Sequence, residues 1–208
     1  MSEHAERVNK NVERGQATRA HLIAVATRLF AAHGYEGTSI EAVLAESGVS
    51  RGSLYHHFPG KDALFLSVME TLGAKVAEET MAAVKDVSDP AELLRAGLLA
   101  WIRMAGDPAV RQILLIDAQT VLGWRKWREV DEPSLSMIRG VLSQVAETGS
   151  IGRRHVDVFA HIVLAAGNEL ALMIALADDP AAALAAGEGA AVEFLNRLLG
   201  GSRSAYGH

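Results

Sequence analysis

The stretch "GVSRGSLYHHFPGKDALF", Gly48 to Phe65, sets Ser, Arg, Gly, Ser, Tyr and two His between a glycine and a Pro-Gly turn. Immediately upstream, "TSIEAVLAESG" opens on Thr38, returns Glu41 at capping-box spacing and closes on Gly48. This punctuation predicts a short helix over about residues 39–47. Ser50 can cap a second short helix that ends before Pro59. A longer helix then starts at Lys61 or Asp62, with Leu64, Phe65, Val68, Met69, Leu72 and Val76 on its inner side. Two short helices joined by "ESGVS" have the form of a helix-turn-helix, in which the second helix enters the major groove and the first crosses the backbone.

Outward from this segment, helical spacing continues in both directions. Leu22, Val25, Ala26, Leu29, Phe30 and His33 form one apolar stripe that stops at Gly34, which predicts a first helix over about residues 17–33. Downstream, Asp89-Pro90, Asp107-Pro108 and Asp179-Pro180 each offer a capping carboxylate followed by a proline in the first helical turn. Further helices are expected from Pro133 to Thr148, stopping at Gly149, and from His155 to Ala177. No alternating run reads as a strand. The expectation is an all-α chain of about nine helices: a flexible arm at 1–16, a helix-turn-helix domain at 17–75 and a second helical domain at 76–208.

Composition narrows the function classes. Half of the 208 residues are hydrophobic, enough for a substantial core. There is no cysteine, which removes disulfides, thiolate metal sites and cysteine nucleophiles and fits a reducing, cytoplasmic setting. The N-terminal "MSEHAERVNKNVERGQ" has no apolar segment of the secretory kind. Val158 to Ala177 has spanning length but carries His161, Asn168 and Glu169, and reads as a buried helix rather than a membrane span. Formal charge is −5, yet residues 1–75 hold eight Lys/Arg against eight acids. A nucleic-acid reading must therefore rest on geometry rather than on bulk charge.

The geometry is specific. Val49 and Leu54 are spaced to pack inward, leaving Ser50, Arg51, Gly52 and Ser53 on the outward first turn of the recognition helix. Arg51 can make a bidentate contact to guanine, worth about 1–3 kcal/mol of discrimination. Tyr55, His57 and Lys61 can donate to phosphates, and Thr38 and Ser39 add hydroxyls. His56 and His57 are adjacent, so on a helix they diverge and cannot share one metal; no metal and no cofactor is implied.

Taken together, "GYEGTSIEAVLAESGVSRGSLYHHFPGKDALF" closely resembles the DNA-binding segment of TetR-type transcriptional regulators, and with the first helix the resemblance covers about residues 17–75. "LYHHF" followed by a lysine is the most specific part. The resemblance implies that Thr38, Tyr55, His57 and Lys61 hold phosphates while Arg51, Gly52 and Ser53 face bases. One departure is Leu44, at a position where the family usually has alanine. The resemblance further implies a homodimer on a pseudo-palindromic duplex operator, most often as a repressor, with a variable second domain that binds a small effector.

In that second half, "ILLIDAQTVLGWRKW" sets Asp117 and Gln119 beside an apolar run. Trp101, Met104, Asp117, Gln119, Trp124, Met137 and His161 are the candidate lining of a largely apolar effector pocket. Ile162, Ala166, Leu170, Ala171 and Ile174, with Leu195 and Leu198, are the candidate dimer seam. Two other readings stand beside this one. The first is a regulator answering to a protein partner without a ligand. The second, an all-α enzyme using Asp117 with His155 or His161, has no accompanying nucleophile motif or phosphate loop.

Overall fold

The computed structural model describes residues 2–200, except for the side chains of residues 2–9, 11 and 124. Among the described residues the regular structure is helical throughout, without a strand. Helix α1 spans Ser2–Gly37, α2 Ile40–Ser47, α3 Arg51–His57 and α4 Lys61–Val84; α5 follows at Pro90–Met104. A π-helical stretch, Val110–Asp117, leads into α6 at Ala118–Glu147, and a 3-10 turn at Arg153–His155 leads into α7 at Val156–Ala175 and α8 at Pro180–Gly200. The count agrees with the expected number of helices.

Local signals explain most boundaries. Gly48 caps α2 in the left-handed conformation, its N–H on the Leu44 carbonyl. Ser50 caps α3 by accepting from the Ser53 N–H, and Asp89 caps α5 in the same way with Pro90 behind it. The Asp107 and Asp179 carboxylates accept from Ala109 and Ala182, so all three Asp-Pro pairs open helices.

Other boundaries differ from the sequence reading. Ser39, not Thr38, caps α2, accepting from the Ala42 N–H at 3.1 Å. Helix α1 starts at Ser2 rather than near residue 17, because the intervening polar residues are helix-tolerant and no proline precedes Pro59. His33 closes the expected stripe but is exposed. Pro133 lies inside α6 instead of opening a helix; the interruption occurs at Gly123, whose positive φ breaks the helical path.

Two apolar cores organise the chain. The N-terminal core gathers Leu22, Val25, Phe30, Val43, Leu54, Phe58, Leu64, Phe65 and Val68, and it also takes in Val110, Ile113 and Ala118 from the π-helical stretch and the start of α6. Phe30, Phe58 and Phe65 are at most 1% exposed; burying each such side chain stabilises by about 1.5–3 kcal/mol. The second core is built from α5, α6, α7 and α8 around Leu98, Ile102, Leu142, Val163, Ala171 and Leu195. Trp101 touches both cores. The α1–α4 unit is therefore tied to the rest through shared apolar packing as well as polar links such as Lys75 with Asp107.

Candidate nucleic-acid interface

Helices α2 and α3 are short because their caps are close together, and each presents an open N-terminal turn. Leu54 and Phe58 anchor α3 inward. Arg51, Gly52 and Tyr55 consequently face out, Ser50 and Ser39 are exposed, and Ser53, His57 and Lys61 are half-exposed. A Cβ on Gly52 would meet nothing within 4 Å. The fold therefore leaves that position free, and the glycine keeps the outer surface of α3 low there.

Thr38 leaves this set. It is only 2% exposed, and its hydroxyl donates to the Gly34 carbonyl at 2.9 Å. The residue secures the turn between α1 and α2 rather than facing outward. Leu44 is half-buried against the N-terminal core.

Several neighbours were invisible as spacing. The Arg51 guanidinium donates to Glu41 on α2 at 3.0 Å, with both side chains largely solvated. The helix N-terminal amide and Arg51 hold the Glu41 carboxyl below its ordinary range. Lys61 places its ammonium 4.0 Å from the centroid of the Tyr35 ring. Tyr35 stacks on Phe30 and meets Phe65 edge-on, and its hydroxyl donates to Asp62. Burial first, then Asp62, pushes the Tyr35 phenol up to about 12.

The C-terminal candidates do not converge as expected. Asp117 accepts from the Tyr35 backbone N–H at 2.7 Å and from the Gln112 amide at 3.1 Å. Both oxygens of its carboxylate are engaged by these donors. Gln119 and Met137 are exposed, while Met104 and His161 are half-buried; the Trp124 side chain lies outside the described residues. Trp101 sits where α5 meets Gly167 of α7, so close that a Cβ there would fall 2.9 Å from Leu98. Among the described residues its indole nitrogen is buried without a hydrogen-bond partner. Asp131 on α6 accepts from the Asn168 amide on α7 at 3.3 Å, and burial raises its carboxyl from the ordinary 3.8 to about 6.

The dimer candidates divide. Ala171, Ile174 and Leu195 are at most 3% exposed and belong to the second core. Ile162 is 42% exposed, with Ala166, Leu170 and Leu198 half-buried. Outward, α7 and its C-cap present a stripe that keeps Ile162 from the expected seam and adds Val158, Met173 and Leu176, which the sequence reading left out. Helix α7 is thus buried on one face only. Among the described residues no cluster of three metal-ligating side chains occurs.

The pattern described as "Bacterial regulatory proteins, tetR family" fits residues 22–68, and "Tetracyclin repressor-like, C-terminal domain" fits residues 91–201. The chain belongs to the TetR family. The HTH-type transcriptional regulator LmrA of Bacillus subtilis is 35% identical over 82 residues, which span 39% of this chain and 44% of LmrA. The match thus covers less than half of that relative. A TetR-family transcriptional regulator from Pectobacterium atrosepticum superposes with a TM-score of 0.76 at 30% identity, covering 90% of this chain and 96% of the other. AibR, solved in complex with isovaleryl coenzyme A and operator DNA, shares the fold at 23% identity and a TM-score of 0.64, over 88% and 98% of the two chains. For a TetR-family chain the α2–α3 unit is the helix-turn-helix and the α5–α8 bundle the variable domain.

Proposed function

We propose that this chain is a cytoplasmic, dimeric, ligand-responsive repressor that binds a pseudo-palindromic operator and is released by a largely hydrophobic small molecule. The observation that carries the reading is the outward first turn of α3. There Arg51 and Gly52 stand over a recognition helix pinned from beneath by Leu54 and Phe58, with Tyr55 and Lys61 beside them. Arg51 is the base reader, released from Glu41 on binding; Ser53 lies beside it, and Tyr55, His57 and Lys61 meet phosphates. The exposed stripe Val158, Ile162, Met173 and Leu176 supports α7 as one half of a helical seam closed by a second copy across a two-fold axis.

For the effector, the half-buried Trp101 with its unpartnered indole N–H, and the Asn168–Asp131 pair, support a mainly apolar site with a few polar points between α5, α6 and α7. AibR carries isovaleryl coenzyme A in its own complex, and an acyl ligand would suit the apolar part of that lining. The test has two halves. Duplexes enriched from a random pool by the wild-type protein should bind Arg51→Ala no better than random DNA in gel-shift titrations. A library of hydrophobic compounds and acyl-coenzyme A esters, screened by tryptophan fluorescence, should yield hits that change operator affinity. A variant that keeps its sequence preference would refute the DNA face, and hits that leave operator affinity untouched would refute ligand control.

A further inference from the structure

The Asp117–Tyr35 link joins residues 82 positions apart, and it begins from a break in α1. Gly34 adopts φ 70 and ψ 173, a conformation open to glycine, which frees the Tyr35 N–H from the helical ladder. Asp117, the last residue of the π-helical stretch, supplies the acceptor, and Gln112 of the same stretch fixes its other oxygen. On the far side of Tyr35, the ring lies under the Lys61 ammonium and the hydroxyl reaches Asp62. Lys61 and Asp62 are the first two residues of α4. One residue thus touches the variable domain through its backbone and the DNA-facing end of α4 through its side chain.

We propose that Asp117 is a positioning residue for DNA binding: by holding the Tyr35 amide it fixes the ring that sets where Lys61 stands. The inference rests on the reading of Lys61 as a phosphate contact and adds a specific path to it from the variable domain. π-Helical segments are rare and tend to mark functional sites. A return of Val110–Asp117 to α-helical register would rotate Asp117 away from the Tyr35 amide and loosen Lys61 without any ligand approaching the DNA face.

The test compares Asp117→Ala, Asp117→Asn and Lys61→Ala in the full chain. Fluorescence anisotropy follows each on a duplex enriched from a random pool by the wild-type protein, titrated over a range of salt. Lys61→Ala removes one contact from each protomer of the dimer and should lower the log–log salt slope by about two units and weaken binding at least about tenfold. Asp117→Ala should do the same, and the double variant should lose no more than Lys61→Ala alone. Asp117→Asn keeps an amide oxygen for the Tyr35 N–H and should retain the wild-type slope. A purely structural Asp117 would lower thermal stability and leave the slope alone, so a folded Asp117→Ala with wild-type slope overturns the proposal. So does an Asp117→Asn that loses as much as the alanine variant. Should Asp117→Ala fail to fold, Tyr35→Leu, which removes the ring but keeps the amide, must show the same loss of slope as Lys61→Ala; a wild-type slope counts against the proposal. A wild-type slope in Lys61→Ala would remove the phosphate contact and the inference together, whereas loss in Lys61→Ala alone removes only the inference.

Discussion

The DNA-facing end and the α5–α8 bundle answer the same sequence reading differently. At the first, every singled-out residue except Thr38 is exposed or half-exposed on α2, α3, their caps or the first turn of α4. At the second, the candidates scatter: Ala171, Ile174 and Leu195 are core, Gln119 and Met137 are exposed, and Asp117 serves the opposite half of the molecule. The difference lies in how each site is built. A helix-turn-helix is assembled from residues close in sequence, so caps and turns place its side chains. The bundle sites arise from faces of separate helices, and their rotation is set by packing.

The strongest way to break this contrast lies on α7. Ala171→Glu puts an unpaired charge into the second core and should cost about 3–5 kcal/mol in urea unfolding. Met173→Glu, two residues on and 59% exposed, should leave the fold intact and shift sedimentation toward monomer. If both variants behaved alike, the division of α7 into a core face and a seam face would be wrong.

A second pair sets two glycines of the DNA-binding half against each other. Gly34→Ala meets a positive φ and places a Cβ 3.1 Å from the Gln112 amide, and should destabilise by about 2 kcal/mol. Gly52→Ala meets open space and a favourable helix, and should raise stability slightly, by up to about 1 kcal/mol, while weakening operator binding in the same anisotropy titration.

Asp131 sharpens the bundle side. Its folded pKa, about 6, lies above the ordinary 3.8, so between these values the native state holds a proton that the unfolded chain has released. Stability should therefore rise as pH falls through about 6 and level off near the lower value. Discounted for partial exposure, the effect is about 1–2 kcal/mol. Asp131→Asn should raise the neutral-pH melting temperature by that equivalent and flatten the profile; an unchanged profile would place the carboxyl in water.

The smallest effect belongs to the caps. Ser39→Ala and Ser50→Ala each remove a side-chain acceptor from a helix N-terminus and should cost about 1 kcal/mol in chemical denaturation. A loss at only one of the two positions would show that the other helix is held by packing alone.

Much was legible because it is written in local chemistry. Gly48, Ser50 and the three Asp-Pro pairs act on amides within a few residues, and the apolar stripe ending in Phe30 uses a period the chain itself imposes. The misreadings have local causes too. Thr38 and Ser39 are adjacent hydroxyls, and only the backbone path after Gly34 assigns one to the cap and the other to the Gly34 carbonyl. Pro133 resembles a helix start, yet Gly123 already supplies the break. On α7 the alanines promise close approach on every side, and the outward stripe Val158, Ile162, Met173, Leu176 emerges only once α5, α6 and α8 occupy the other face.

The sequence alone determined an all-helical chain with a capped helix-turn-helix at its N-terminal end, since caps, turns and helical periodicity depend on neighbours a few residues apart. Tertiary structure alone decided that Asp117 belongs to Tyr35, that Glu41 holds Arg51, and which side of α7 is core. Those choices depend on how helices distant in sequence rotate and dock, and the free energy that fixes them comes from apolar surface buried between helices rather than from anything within one helix.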